Sequence, residues 1–215
     1  MYYKVENIPD EQTMQAVVAE LLPLVPFARR EQALRFVHLH GRYCCLRAWQ
    51  LLHSLLIEHG FIPAGLPLAD LTYTVDSYGK PSLICPLQDN QSSIHQPSIA
   101  RRAHFSLSHT KTALAVAIDW QPVGIDVETV ASPRRIEEPL FLNRTMSAAE
   151  QTVICNAADP CLAFTELWTR KEALVKAIGT GLNLDTLPDL LQTDHPFTFL
   201  SGHTDTYAWS VAVQK

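Results

Sequence analysis

Residues 123–128 read Val-Gly-Ile-Asp-Val-Glu, an apolar strand pattern that carries two acids. Alternate residues of a strand share a face, so Asp126 and Glu128 point one way and the intervening apolar residues the other. Neighbouring carboxylates repel each other, and a hard divalent cation such as Mg²⁺ would offset that repulsion. Gly124 would let another segment or a ligand approach closely. The alternative is a strand end whose two acids are simply solvated.

A strongly helical stretch follows at 161–178, with glycines just beyond its end. Trp168, Glu172 and Lys176 are spaced four residues apart, which places them on one ridge of the helix. Lys171 lies at the edge of the apolar stripe, where a charged residue should be paired or functional. The alternative is an ordinary helix with one Glu–Lys pair on its surface.

Two further polar motifs precede the acidic strand. Residues 104–109 read His-Phe-Ser-Leu-Ser-His, and Ser108 and His109 can bind phosphate oxygens through a hydroxyl, an imidazole and backbone N–H groups. Residues 78–81 read Tyr-Gly-Lys-Pro, a turn that carries a lysine and is by default a surface turn. The sequence has no G-x-S-x-G, P-loop or G-x-G-x-x-G motif, which excludes the common serine-hydrolase and nucleotide-binding patterns.

Composition and charge exclude several classes of protein. The 215 residues are 47% hydrophobic and 18% charged, as in an ordinary globular enzyme of one large or two smaller domains. The net charge of −5 argues against nucleic acid or an anionic membrane as partner. The five cysteines form no C-x-x-C pair, which predicts neither a disulfide framework nor a zinc site. Because the N-terminus also lacks a signal-like apolar core, we expect a cytoplasmic protein.

The predicted elements are mixed rather than regularly alternating, which favours an α+β fold. Each half has a long helix with basic residues, a glycine stop and then strands, a faint echo that indicates either a duplication or chance. The predicted strands are 71–75, 104–119, 123–127 and edge strands within 196–213, the long early helix is 31–59, and the predicted loops are 86–103 and 130–139.

Four blocks occur in a fixed order along the chain. They are YGKP (78–81), HFSLSH (104–109), VGIDVE (123–128) and LWTRKEALVKAIGTGL (167–182). Together they resemble the Sfp-type 4′-phosphopantetheinyl transferases, in which the third and fourth blocks are the signature motifs. The resemblance is strong over about 78–182 and looser over 27–60, where an Arg-rich helix is expected.

This resemblance implies a fold and a set of site residues. It implies two similar α+β halves, 1–110 and 111–215, related by a pseudo-twofold axis, with coenzyme A in the cleft between them. It implies a site for Mg²⁺, or alternatively Mn²⁺, formed by Asp126, Glu128 and Glu172. The implied coenzyme A contacts are Lys80 and Pro81 at the adenine, Ser108, His109, Lys171 and Lys176 at the pyrophosphate and other phosphates, and Arg42 at the 3′-phosphate, with Arg29 and Arg35 as alternatives to it.

The implied reaction moves the 4′-phosphopantetheine arm of coenzyme A onto a serine of an apo acyl or peptidyl carrier protein, as holo-[acyl-carrier-protein] synthases do. Asp126, Glu172 and Lys176 would be catalytic: Asp126 on the metal, Glu172 as ligand, base or both, and Lys176 on the leaving phosphate. At this length and with both signature motifs the chain resembles the broader Sfp-like group, which implies a monomer serving secondary metabolism. Two alternatives are a Mg²⁺-dependent hydrolase of coenzyme A or related pyrophosphates and a non-catalytic carrier- or coenzyme-A-binding module.

Overall fold

The computed structural model describes residues 1–77, 79–85 and 101–215 and has the expected α+β fold. The strands are β1 (Tyr2–Asn7), β2 (Thr74–Val75), β3 (Pro81–Cys85), β4 (Arg101–His109), β5 (Ala113–Asp119), β6 (Val123–Thr129), β7 (Phe197–His203) and β8 (Tyr207–Gln214). The helices are α1 (Glu11–Leu21), α2 (Phe27–Arg35), α3 (Leu39–Glu58), α4 (Pro133–Ile136), α5 (Pro139–Thr145), α6 (Ala148–Asn156) and α7 (Pro160–Ile178). None of the helices in these ranges has the length and apolar character needed to cross a membrane.

The described strands form two antiparallel sheets. The first has the order β1-β5-β4-β3-β2 and the second has the order β6-β8-β7. Because β5 pairs with both β1 and β4, the first sheet extends to Asp119. The predicted division between 1–110 and 111–215 therefore falls inside the β4–β5 hairpin, and the chain passes from one sheet to the other at 120–122. The pseudo-twofold relation of the halves stays a prediction.

The two faces of β5 explain how the sheets pack together. Every residue from Ala113 to Ile118 is buried. The larger side chains, Leu114, Val116 and Ile118, belong to the core that includes α3. The alanines between them pack instead with apolar residues of β6 and β8. Because alanine is small, the second sheet can lie close to the first, and the apolar face of β6 is buried there.

The opposite face of β6 packs against α7 through Gly124. A Cβ atom at Gly124 would lie 2.1 Å from the carbonyl oxygen of Ala173 and 2.4 Å from the amide nitrogen of Ala177. The predicted close approach at this glycine is therefore confirmed, and the approaching segment is α7. Helix α7 begins at the N-cap Asp159 and ends at Gly179, whose φ of 86° is readily adopted by glycine.

The prediction of one long helix over 31–59 is wrong in one respect, because the structure has two helices, α2 and α3, in this part of the chain. Helix α2 ends at Arg35, and Phe36 is extended, with a ψ of 126°. The Phe36 ring then packs on the backbone of Gly41, where a Cβ atom would lie 2.6 Å from it. The chain therefore leaves the helical conformation at Phe36, and a second helix begins at Leu39.

Other predicted elements also differ from the structure. The loop predicted at 130–139 contains α4 and the start of α5, each with proline in its first turn, a position that proline favours. The strand predicted at 71–75 is only Thr74–Val75, and β8 is the central strand of its sheet rather than an edge. Of the predicted loop 86–103, residues 86–100 lie outside the described part of the chain, whereas 101–103 belong to β4.

Candidate active site

Three elements bring Ser108, Asp126 and Lys176 together. The Lys176 ammonium lies 2.6 Å from Asp126 Oδ1 and donates to Ser108 Oγ at 3.1 Å. The Ser108 hydroxyl donates to Asp126 Oδ1 at 2.8 Å and accepts from the backbone N–H of Val127 at 3.3 Å. Side chains from β4 and α7 thus both contact one carboxylate oxygen of Asp126, which lies on β6.

Asp126 is only 3% exposed, and its second oxygen, Oδ2, is buried. Burial would normally require a hydrogen bond, yet Oδ2 has no donor among the described residues. Glu128 follows on the same face of β6, and Glu172 precedes Lys176 by about one turn of α7. Burial and the Asp126 carboxylate raise the pKa of Glu172 to about 7 and also raise the pKa of Glu128. The three acids therefore form a region of excess negative charge.

A divalent cation fits this set of donors. All three acids offer oxygen atoms, which are the ligands that Mg²⁺ prefers, and Asp126 Oδ2 is an unsatisfied buried acceptor. Over 1–77, 79–85 and 101–215, no three acidic, histidine or cysteine side chains are already gathered as a complete metal cage. Mg²⁺ is usually held by one or two carboxylates together with water and phosphate oxygens, so a complete cage is not required.

A cleft of about 410 Å³ opens beside these acids. Its walls come from the turn before β3, from β4 and from α7, so it lies between elements of the first sheet and the helix of the second. Glu172 and Lys176 line it from α7, and Lys80 and Pro81 line it from the turn and first residue of β3. The remaining lining is largely apolar and includes Phe105, as is usual for a small-molecule site.

Lys80 links the two sides of the cleft. Its ammonium donates to the carbonyl oxygen of Ala177, at the C-terminal end of α7, where a positive charge is favourable. Its alkyl chain lies against Gly179, where a Cβ atom would be 2.8 Å from Lys80 Cδ. Burial lowers the pKa of Lys80 to about 8. The structure thus brings Lys80, Lys176 and Glu172 to one cleft.

Ser108 and His109 face opposite sides of β4. Ser108 bonds to Asp126, whereas the ring of His109 lies 6.0 Å, centroid to centroid, from that of His40 in α3. His109 lines a second, smaller cavity of about 200 Å³ together with Arg29. The two residues were predicted to contact coenzyme A phosphates together, and a contact from both would require phosphates on each side of the strand end.

The three candidate arginines occupy different environments. Arg29 is buried, and its guanidinium carbon lies 4.2 Å from the ring centroid of Trp49, a cation–π contact. Arg42 donates from Nε to the carbonyl oxygen of Phe36 at 2.8 Å, which places it at the start of α3. Arg35 is exposed in the last turn of α2. Of the three, the structure brings Arg29 to the cavity that His109 lines.

The predicted contact of Lys171 with the pyrophosphate is not supported by its position. Lys171 is completely buried, and its ammonium lies 2.8 Å from Glu150 Oε2 of α6 rather than at the acids of β6. Residues 171 and 176 are separated by about 140° around a helix of 3.6 residues per turn. Because Lys176 faces the cleft, Lys171 faces away from it.

Two residues near the site were not selected from the sequence. The guanidinium of Arg135 lies 5.6 Å from the ring centroid of Trp168, and its charge opposes the rise in the pKa of Glu128. Arg135 falls in the predicted loop 130–139, and no periodicity marked it. No motif in the sequence indicates His40, since the histidine that its ring approaches, His109, is distant in sequence.

Comparison with known proteins agrees with this geometry. Residues 122–215, which carry two of the three acids on β6 and the third on α7, match the family described as the 4′-phosphopantetheinyl transferase superfamily. The chain is 30% identical over 179 residues to the L-aminoadipate-semialdehyde dehydrogenase-phosphopantetheinyl transferase of Saccharomyces cerevisiae, covering 83% of this chain and 60% of that protein. Residues 122–215 are thus similar to the 4′-phosphopantetheinyl transferase superfamily.

Bacterial relatives in this superfamily are similar at the same level. Identity is 30% over 181 residues with the 4′-phosphopantetheinyl transferase psf-1 of Bacillus pumilus, covering 81% of this chain and 66% of the relative. It is 28% over 158 residues with the 4′-phosphopantetheinyl transferase Sfp of Bacillus subtilis, covering 73% and 61%. The chain thus spans 60 to 66% of the length of these 4′-phosphopantetheinyl transferases.

Proposed function

We propose that this chain transfers the 4′-phosphopantetheine arm of coenzyme A to a serine of an apo carrier protein and releases adenosine 3′,5′-bisphosphate. The observation that carries the proposal is the Asp126 carboxylate, with Oδ1 held by Lys176 and Ser108 and Oδ2 left without a described donor. This carboxylate lies next to a cleft lined by two lysines and a glutamate. The match of residues 122–215 to the 4′-phosphopantetheinyl transferase superfamily supports the same chemistry.

Asp126, Glu128 and Glu172 would hold the metal, which we propose is Mg²⁺, with Mn²⁺ as a substitute. A bound Mg²⁺ would neutralise the pyrophosphate charge and favour in-line displacement. Lys176 and Ser108 keep Asp126 in one orientation, because both contact the same oxygen. Burial first, and then the charges of Asp126 and Glu128, raise the pKa of Glu172, and a cation at this position would offset both effects.

In the proposed reaction the carrier serine oxygen bonds to the β-phosphorus, and the bond from that phosphorus to the oxygen bridging to the α-phosphate breaks. Glu172 lines the cleft and, in its ionised form, can accept the serine proton. Lys176 is part-exposed, with 31% of its side chain accessible, and can stabilise the leaving phosphate while remaining paired with Asp126. Lys80, which also lines the cleft, supplies further positive charge.

Carrier-dependent product release tests this proposal. With coenzyme A and Mg²⁺, we expect adenosine 3′,5′-bisphosphate to appear only when an apo carrier protein is present, in a one-to-one ratio with modified carrier. A carrier whose acceptor serine is changed to alanine is the matched control and should release none. Release of phosphopantetheine without a carrier would support a coenzyme A hydrolase instead, and binding without turnover would support a non-catalytic module.

Mg²⁺ should stabilise the protein more at pH 8 than at pH 6. Glu172 has a folded pKa of about 7 against an ordinary 4.5, so its contribution to the stability of the metal-free protein is present below pH 4.5 and is lost as the pH rises through 7. Mg²⁺ favours the ionised form of Glu172, so its binding restores the stability that the metal-free protein loses at high pH. The measurement is the Mg²⁺-induced rise in Tm at both pH values. Glu172→Gln should flatten the difference, and an equal rise at pH 6 and pH 8 in the unmodified protein would contradict this assignment.

We also propose the holo-[acyl-carrier-protein] synthase type of reaction, with acyl and peptidyl carrier proteins as the two candidate acceptor classes. The turnover rates on a panel of apo carriers from both classes would identify the preferred one. Comparable kcat/KM values across the panel would indicate a broad acceptor range, whereas a difference of about a hundredfold or more would indicate one preferred class.

A further inference from the structure

Lys171 is a fully buried lysine adjacent in sequence to Glu172. Its ammonium lies 2.8 Å from Glu150 Oε2 and donates to the carbonyl oxygens of Leu187 and Pro188, both at 2.7 Å. An ammonium has three N–H donors, so each of them has an acceptor. Lys171 therefore has no donor left for a substrate and joins three parts of the chain: α6, α7 and the segment after α7.

Glu150, which pairs with Lys171, also belongs to a hydrogen-bonded network at the start of α6. Glu150 Oε2 accepts from the backbone N–H of Ser147 at 2.8 Å, and Ser147 Oγ accepts from the N–H of Glu150, which together form a capping box at the start of α6. Ser147 Oγ also accepts from Gln192 Nε2 at 2.5 Å. The segment after α7 is thus attached to α6 near 192 and to α7 near 187.

This segment forms part of the cleft. Gly181 and Leu182 line the cleft, and residues 181–186 are all exposed. The first buried residue after them is Leu187, which packs with Phe164 and Trp168. The position of the Gly181–Leu182 wall therefore depends on how firmly the chain is held at 187–188, where Lys171 binds it.

We propose that Lys171 is a positioning residue that fixes the Gly181–Leu182 wall of the cleft by holding the carbonyl groups of Leu187 and Pro188 against α7. This inference rests on the proposed function, because it takes the cleft to be the coenzyme A site. Lys171 acts through the segment and touches no reacting atom. Its loss should weaken coenzyme A binding and leave the chemical step largely intact.

Lys171→Met tests the inference. We expect the KM for coenzyme A to rise about tenfold while kcat changes less than about threefold, the pattern of lost binding that is equal in the ground and transition states. Leu182→Ala should raise the same KM. The double variant should be no worse than Lys171→Met alone, because both changes act on one wall. Additive effects of the two changes would overturn the proposal.

The matched control is Thr169→Val, which removes another fully buried polar group of α7. Thr169 hydrogen-bonds to Ser210 Oγ of β8 at 2.9 Å, away from the 187–188 carbonyls. We expect Thr169→Val to lower the Tm without changing the KM for coenzyme A. An equal rise in KM in this control would show that Lys171 matters only for general stability and would overturn the proposal.

Two additions keep the test decisive. If Lys171→Met alone does not fold because Glu150 is left as an unpaired buried carboxylate, Lys171→Met with Glu150→Gln removes that charge and should show the same rise in KM. Hydrogen exchange at 182–192, measured without a carrier protein, should be faster in the Lys171 variant than in Thr169→Val. Unchanged exchange would overturn the proposal, whereas faster exchange in a protein that transfers no arm would refute only the proposed function.

Discussion

Asp126→Asn is expected to lower kcat/KM for arm transfer by about a thousandfold, or roughly 4 kcal/mol of transition-state stabilisation. The substitution keeps the size of the side chain but removes the charge that pairs with Lys176 at 2.6 Å, and it replaces an oxygen that would hold the metal. The same variant should lose most of the Mg²⁺-induced rise in Tm. The measurements are steady-state transfer rates at saturating Mg²⁺ and thermal unfolding with and without Mg²⁺.

Asp205→Asn is the control for this change, since Asp205 is exposed in the turn between β7 and β8. It should behave as the unmodified protein in both assays. If Asp126→Asn retained activity within about tenfold of the unmodified protein, Asp126 would not be a metal ligand of the reaction.

Gly124→Ala is expected to be the most destabilising small substitution in the site. The new methyl group would meet the backbone of Ala173 at 2.1 Å and that of Ala177 at 2.4 Å, so α7 must move away from β6. Overpacking of this kind costs about 3 kcal/mol, which lowers the Tm of a chain of this size by roughly 6–12 °C. Because Glu172 and Lys176 lie on α7, transfer activity should fall together with stability.

Gly65→Ala provides the matched comparison, because no described atom lies within 4 Å of a Cβ atom there and its φ is not in the left-handed region. It should change the Tm by less than about 2 °C, as surface substitutions usually do. A Gly124→Ala protein with an unchanged Tm would mean that β6 and α7 are not in close contact.

The acids of β6 could be predicted because strand alternation places Asp126 and Glu128 on one face whatever the strand packs against. The close approach at Gly124 followed from the same stretch, since a glycine inside an apolar strand indicates a neighbouring backbone. The ridge of Glu172 and Lys176 followed from helical spacing. These features depend on neighbours within a few residues, and the sequence specifies them locally.

Features that depend on long-range packing were harder to predict. Spacing alone does not tell which side of α7 meets β6. The resemblance implied a pyrophosphate contact for Lys171, whereas its ammonium binds Glu150 and the 187–188 carbonyls. Strand alternation alone places Ser108 and His109 on opposite faces of β4, but which layer of the protein each face meets depends on long-range packing. The extent of the first sheet depended on β5 pairing with β1, a contact between residues more than 100 positions apart.

Intact-protein mass spectrometry of an apo carrier protein tests the central claim most directly. After incubation with this chain, coenzyme A and Mg²⁺, the carrier should gain the mass of one phosphopantetheine arm, and the gain should disappear with Asp126→Asn or with a carrier lacking the acceptor serine. A carrier panel that covers both acyl and peptidyl classes and shows no gain in mass, with a folded protein and Mg²⁺ present, would contradict the account.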